Sequence, residues 1–436
     1  MFPLRRPVLL LLWSAMAFPA GSARGGDVTG PVPVELRKAA DGSWQLARGG
    51  HLFTIKGAGG HRSLKLLAEC GGNSVRTWGA DQLDRTLDEA HRHGLTVTAG
   101  IWLGHERHGF DYNDPKQVVD QLERARAAIA KYKDHPAILM WGIGNEMEGA
   151  QGDNPAIWRA VNDIARAAKQ LDSNHPTMTV VAELGGERVP SIHRLCPDIN
   201  IIGVNAYGGG PTVLKRYREA GGTKPIVITE FGPNGPWESP KTSWGAPIEP
   251  SSTAKADAYR RTYESSTTAD ARKICLGSYA FLWGWKQEAT ATWFGMLLSD
   301  GSRTQAVDVM AELWTGRPPA NNCPQIRSVK LGGDGGNAEG QVAAGAIVIA
   351  TLDATDADRD DTLSVEWRLQ READQHVTGG DAQAAPPSCP DAVVRSDGRG
   401  ATVRLPKEPG GYRLFVVVHD GRGGAAVANV PLLVRR

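Results

Sequence analysis

At 436 residues the chain is longer than one ordinary domain, and its 41% apolar and 22% charged residues are those of a soluble globular protein. A formal net charge of +1, with no basic block, gives no footprint for nucleic acid or for an anionic membrane surface. The thirteen tryptophans are more telling, because several fall near predicted strand ends and loops, where an indole usually stacks on something.

In chain order, Arg5-Arg6, an apolar run from Val8 to Phe18 and the small residues Gly21-Ser22-Ala23 read as an export signal over residues 1–23. The run is too short to span a bilayer as a helix, and no cysteine ends it. No stable membrane anchor is expected, and the mature protein is expected to be periplasmic or secreted. A leader follows over residues 24–50, with a short hairpin between Val34 and Gly50.

From His51 onward strands and helices alternate. The apolar runs predict strands near Phe53 to Gly57, Ser74 to Trp78, Thr96 to Leu103, Ile138 to Ile143, Met178 to Ala182, Ile199 to Val204, Ile226 to Glu230 and Leu276 to Trp283. Amphipathic patterns between them predict helices such as Ala80 to His93, Pro115 to Tyr132, Ala156 to Leu171 and Ser252 to Thr267, with a last one near Gln305 to Trp314. Eight such units predict an α/β fold, a (β/α)8 barrel over residues 51–316, with a doubly wound open sheet as the alternative. The Gly-Arg-Pro-Pro stretch opens a linker over residues 317–324. Beyond it the periodicity becomes two, and strands near Ala346 to Leu352, Leu363 to Arg368, Ala401 to Leu405, Tyr412 to His419 and Ala425 to Val434 predict an immunoglobulin-like β-sandwich over residues 325–436.

Two of the buried strands end in a charge. Ile138-Leu139-Met140-Trp141-Gly142-Ile143 has no polar face, as a strand covered by helices requires, yet it runs into Asn145-Glu146. Ile226-Val227-Ile228-Thr229 runs likewise into Glu230. The carboxyl ends of barrel strands are where such a fold keeps its chemistry, and a pair of carboxyl groups is what glycosidic hydrolysis needs.

These motifs carry a resemblance. Asp134-His135-Pro136 through Asn145-Glu146, Ile228-Thr229-Glu230-Phe231-Gly232, Asn73-Ser74-Val75-Arg76-Thr77-Trp78, Gly203-Val204-Asn205-Ala206-Tyr207 and Ala280-Phe281-Leu282-Trp283 together resemble the catalytic barrel of glycoside hydrolase family 2, a retaining family of clan A. The opening Phe53-Thr54-Ile55-Lys56-Gly57 is also similar to barrel β-glucanases and glucanosyltransferases. The resemblance implies Glu146 as general acid/base and Glu230 as nucleophile. It further implies that Asn145 contacts the sugar 2-hydroxyl, that Arg76 helps keep Glu230 ionised, that Tyr207 orients Glu230 and that Trp283 is the platform under the sugar. Trp78 and Asn205, in the same motifs, are expected at the substrate. The family places a jelly-roll and an immunoglobulin-like domain ahead of its barrel where this sequence has a short leader, so the mouth is expected to be less walled in.

Loops supply the remaining candidates. His105 or Glu106 is expected to meet sugar hydroxyls, and Glu183 to meet either substrate or the arginine. Trp285 and Trp293, after the eighth strand, are expected to build further sugar subsites, while Trp237 and Trp244 lie on another long loop. No cofactor and no metal are expected. In the sandwich, Asp356-Ala357-Asp358-Arg359-Asp360 starts like a calcium loop, but Asp361 replaces the turn glycine and Trp367 the bidentate glutamate, so a polar turn is expected. Of the five cysteines, Cys323 and Cys389 are the one expected disulfide pair, and the others read as buried thiols.

The expected function is an exported retaining glycoside hydrolase acting on an oligo- or polysaccharide, β-linked, through a covalent glycosyl-enzyme. The alternatives are a β-glucan transglycosylase using the same glutamates and a non-catalytic glycan-binding envelope protein.

Overall fold

The structure, a computed structural model, describes residues 29–148, 154–332, 340–373 and 380–436. The expected export signal lies outside the described residues. No helix among them is long and apolar enough to cross a membrane.

The leader folds as a small antiparallel sheet of β1 (Val34–Lys38), β2 (Trp44–Arg48) and β3 (His51–Leu52). Its Val34 and Leu46 pack with Leu139, Met140, Ile201, Val227 and Leu276, all near the starts of barrel strands, so the leader sheet closes the barrel floor. Eight parallel strands then close on themselves in sequence order: β4 (Ile55–Gly59), β5 (Ser74–Arg76), β6 (Thr96–Ile101), β7 (Ile138–Ile143), β8 (Thr177–Ala182), β9 (Ile201–Asn205), β10 (Ile226–Phe231) and β11 (Cys275–Ala280). The barrel interior is filled by side chains. Tyr279 crosses it to meet Ser74 Oγ at 2.9 Å and Thr98 Oγ1 at 2.5 Å. A Cβ at Gly57 would stand 2.3 Å from the Tyr279 ring, so only glycine leaves room there.

The helices are α1 (Leu64–Glu69), α2 (Leu83–Arg92), α3 (Pro115–Tyr132), α4 (Pro155–Leu171), α5 (Arg188–Leu195), α6 (Val213–Glu219), α7 (Ser252–Ser266) and α8 (Gln305–Thr315). Helix α2 buries Leu83, Thr86, Leu87 and Ala90, the stripe that a 3.6-residue period dictates. Helix α3 begins where Asp114 accepts hydrogen bonds from Lys116 N and Gln117 N ahead of Pro115 at the first position. The closed parallel barrel is thus as expected, with one difference that matters below. Strand β11 leaves the sheet at Ala280, three residues before its expected end.

The C-terminal part is two four-stranded sheets. One orders as β12 (Gln325–Gly332), β14 (Ile347–Thr355), β17 (Gly400–Arg404), β16 (Val393–Asp397); the other as β13 (Gln341–Ala343), β19 (Ala425–Arg435), β18 (Gly410–His419), β15 (Ser364–Arg371). Strand β14 alternates buried Val348, Ala350 and Leu352 with exposed Ile347 and Ile349, the period-two pattern of a sheet covered on one face. Strand β18 is buried on both faces, because Val417 and the neighbouring Ala425 and Val427 pack on Leu298 of the barrel.

A buried polar network joins the two parts. Arg413 donates to Glu372, to Asn429 Oδ1 at 2.7 Å and to Pro247 O at 2.9 Å. Asn429 Nδ2 in turn donates to Glu249, which is ion-paired with Lys255, both fully enclosed. Trp244 lies against Gly411, where an added Cβ would come within 3.0 Å of the indole, so this tryptophan holds the interface. The expected Cys323–Cys389 disulfide is not formed. None of the five cysteines is in a disulfide, and Cys323 is buried with its Sγ donating to Arg303 O at 3.2 Å.

Candidate active site

The strand ends converge on a cavity of about 530 Å³ at the C-terminal mouth of the barrel. Arg76 closes β5, and Glu230 is the penultimate residue of β10, both buried. After β7 the chain turns sharply, with left-handed backbone at Gly144 (φ 71°) and at Glu146 itself (φ 52°). Left-handed backbone is uncommon for a residue other than glycine, and here it is fixed by Glu146 N donating to Val180 O at 2.9 Å. Glu183, at the end of β8, has the same conformation (φ 57°).

Glu230 is held by three donors. Arg76 Nη1 and Trp78 Nε1 each reach Oε1 at 2.8 Å, and Tyr207 OH reaches Oε2 at 2.7 Å. All three donate, which suits an ionised carboxylate. Burial, then the charges of Glu230 and Glu146, push the Tyr207 phenol well above its usual range, so it stays a donor. Among the described residues Glu146 has one side-chain donor, Asn205 Nδ2 at 2.8 Å from Oε1. Burial first and the Glu230 charge second push the Glu146 carboxyl up to about 7.

One chain of hydrogen bonds connects the two carboxyl groups. Arg76 Nη2 donates to Asn145 Oδ1 at 2.6 Å, Asn205 Nδ2 donates to the same oxygen at 3.1 Å, and Thr229 Oγ1 donates to Asn205 Oδ1 at 2.8 Å. With its Oδ1 doubly occupied, Asn145 presents its NH2 group to the cavity it lines.

Glu146, Glu230, Asn145, Trp78, Asn205 and Tyr207 therefore line one cavity, with Arg76 directly behind Glu230. Glu183 lines it too, but its cation is Arg216, at 2.5 Å, not Arg76. Three expectations fail, those for Trp283, Trp293 and the His105–Glu106 pair, and Trp285 lies apart from this cavity. Trp283 is wholly buried behind the mouth, packed near Trp314, with its Nε1 donating to Ser63 O at 3.4 Å. Because β11 ends at Ala280, Phe281 and Leu282 face the cavity in its place. Trp293 is wholly buried and donates to Asn234 O at 2.9 Å, packing the loop rather than a ligand. Trp285 lies under the Arg62 guanidinium in a neighbouring depression. His105 is buried against Trp102, and burial pushes its imidazole down to about 4, so it is neutral and off the cavity wall. Glu106 accepts from Asn154 Nδ2 at 2.7 Å.

Other groups take those places. Trp102 and Trp237 stand on the rim, 48% and 46% exposed. Glu238 lines the wall and accepts from Gly208 N and Gly235 N at 3.1 and 3.0 Å. Lys286 donates to Glu288 at 3.1 Å and to Gly380 O at 2.6 Å. Gly380 comes from the sandwich, whose 380–383 segment reaches over the mouth. Asp381 meets Arg107 and His108 at 3.2 Å each, and Gln383 Oε1 accepts from Ala289 N at 2.8 Å. The mouth is thus walled on this side by the sandwich. The signal for Trp237 was an indole on a long loop; Trp102 read as part of a strand, and Gly380 had no signal.

Residues 61–236 match the model described as Glycosyl hydrolases family 2, TIM barrel domain, a stretch that contains both glutamates. A β-glucuronidase of Paenibacillus borealis is 27% identical over 196 residues, 39% of this chain and 31% of that protein. β-Galactosidase Pbg of Clostridium perfringens is 30% identical over 119 residues, 21% of this chain and 17% of that protein. The chain thus spans less than a third of the length of either curated relative. Among solved structures, a β-D-glucuronidase of Dictyoglomus thermophilum superposes with a TM-score of 0.51 at 18% identity, covering 66% of this chain and 54% of that one, a likeness of fold. With a closed parallel barrel and matching residues that include both glutamates, this barrel resembles the TIM-barrel domain of the family 2 glycosyl hydrolases.

Proposed function

We propose that the chain is a retaining glycoside hydrolase acting on β-linked glycosides. The observation that carries this reading is the unequal treatment of two carboxyl groups on one cavity. Glu230 is held by Arg76, Trp78 and Tyr207, while Glu146 is raised to about 7 and so carries a proton near neutrality. In the first step Glu230 attacks the anomeric carbon as the glycosidic C–O bond breaks, and Glu146 gives its proton to the departing oxygen. In the second, Glu146 takes a proton from water, whose oxygen attacks the anomeric carbon and releases Glu230. Phe281 and the rim indoles offer apolar faces for the C–H side of a pyranose.

The relatives are a β-glucuronidase and a β-galactosidase. Five glutamates line this cavity against one lysine among the described residues, and that lysine is already paired with Glu288. This balance favours a neutral glycoside over an anionic uronide. Export through the segment 1–23 belongs to the same proposal and rests on the sequence; amino-terminal sequencing of the protein recovered outside the cytoplasm tests it.

The test is incubation of the protein with aryl β-glycosides, β-glucuronides and β-linked oligosaccharides, beside Glu230→Ala and Glu146→Ala. Retained-anomer products absent from both variants are expected, whereas inverted products, or turnover that persists in both, refute the reading. The exposed Trp102 and Trp237 supply a platform for an acceptor sugar, so transglycosylation is the second reading, and products longer than the substrate would establish it.

A further inference from the structure

The loop between β14 and β15 carries Asp356, Asp358 and Asp361, and one carboxylate oxygen of each lies within 4.8 Å of the others. Asp361 is the informative member. Its side chain is 0% exposed, yet Oδ2 has no hydrogen-bond partner, and Arg422 Nε stands 2.8 Å from Oδ1 without the alignment of a hydrogen bond. Asp356 repeats the pattern: Oδ1 accepts from Asp358 N at 2.9 Å, while Oδ2 is buried without a partner. A buried carboxylate oxygen with no donor is costly, and two of them beside a third carboxylate describe a place built for a cation.

The charge balance agrees. Arg422 pairs with Asp361, and the Arg422 and Arg303 charges act on Asp358, while the adjacent Asp420 is committed elsewhere, accepting from Arg422 N at 2.6 Å, Gly424 N at 2.9 Å and Asn321 Nδ2 at 2.8 Å. The cluster therefore keeps an excess of negative charge, which a divalent ion would offset. Every donor is a carboxylate oxygen in a loop rather than a rigid octahedral cage, and hard oxygen donors on a flexible loop suit calcium better than magnesium or zinc.

The location gives the site a task. Asp358 Oδ2 accepts from Asn322 N and Nδ2 at 2.6 and 3.2 Å, and Asn321 O accepts from Arg303 of the barrel at 2.7 Å. Asn321 and Asn322 are the segment where the chain crosses from α8 to β12. We infer that Asp356, Asp358 and Asp361 form a calcium site that pins the crossing between barrel and sandwich. The expected polar turn is present, but its carboxylates converge in a way the sequence pattern did not indicate. This inference is independent of the glycosidase reading.

Calcium titrated calorimetrically into the chelator-treated full chain, with melting followed in parallel, tests it. Saturable binding and a melting temperature raised by several degrees at millimolar calcium are expected, with a smaller rise from magnesium. Asp361→Asn and Asp356→Asn should each abolish the calcium-dependent rise. In chelator, Asp361→Asn should melt close to the wild type, because it relieves repulsion with Asp356 and Asp358 while losing the Arg422 ion pair. No binding heat and no shift in the wild type overturns the site. An undiminished calcium shift in both variants overturns the assignment of residues, and an equal response to magnesium overturns the choice of calcium.

Discussion

The surroundings of Glu230 and of Glu146 lie on one rim and share a hydrogen-bond chain, yet they hold the same functional group differently. Around Glu230 every neighbour donates: a guanidinium, an indole and a phenol. Around Glu146 the described residues supply one amide, and burial outweighs it, lifting the carboxyl to about 7. Both residues are enclosed, so enclosure alone does not assign roles. The number and charge of the donors do.

The comparison breaks most completely if Glu230 is removed. Glu230→Ala should lower kcat by about 10⁴- to 10⁶-fold, the scale seen when a hydrolase loses its nucleophile, read as release of an aryl leaving group. Glu146→Gln should cost less, about 10²- to 10⁴-fold, and erase the alkaline limb of kcat/KM that the wild type shows as pH rises through about 7. The same variant sharpens the comparison through stability. A carboxyl raised from 4.5 to about 7 contributes stability that is fully present below pH about 4.5 and lost as pH rises through 7. Glu146→Gln should therefore melt higher than the wild type at pH 8 and show little gain at pH 4, and an equal gain at both would contradict the raised carboxyl.

Arg76→Gln leaves Glu230 without its cation. Breaking a buried pair from one side should destabilise the chain by about 3–5 kcal/mol in denaturant unfolding, besides impairing turnover. Tyr207→Phe removes one hydrogen bond to a charged group, worth about 1.5–3 kcal/mol, so kcat should fall about 10- to 100-fold with the fold intact by circular dichroism. The smallest effects belong to the rim. Trp102→Ala and Trp237→Ala should raise KM about 2- to 10-fold and leave kcat nearly unchanged, as loss of one stacking face implies.

The inner ring of the site was legible because buried strands make polar exceptions conspicuous. Arg76, Asn145, Asn205 and Glu230 interrupt runs that otherwise have no polar face, and the structure brings them together. The outer ring was not, because side-chain alternation stops informing once the chain leaves the sheet. The runs through Trp102 and Trp283 read as unbroken strands, but the sheet releases them at Ile101 and Ala280. One indole then swings to the rim and the other into the core beside Trp314. Gly380 is set at the mouth by contacts between distant segments, and no local pattern marks it.

Glu249 and Lys255 form a fully enclosed ion pair on the barrel, and Glu249 also accepts from Asn429 of the sandwich. Arg413 of the sandwich hands a proton donor back to Pro247 of the barrel. A chain cut at Gly316 would expose a charged pair evolved for darkness, strip Trp244 of its cover and open one wall of the cavity at Gly380. The two parts are therefore not interchangeable modules on a string. A recombinant barrel prepared alone would be a different material, and a shuffled sandwich would have to carry Arg413 and Asn429 with it to be accepted.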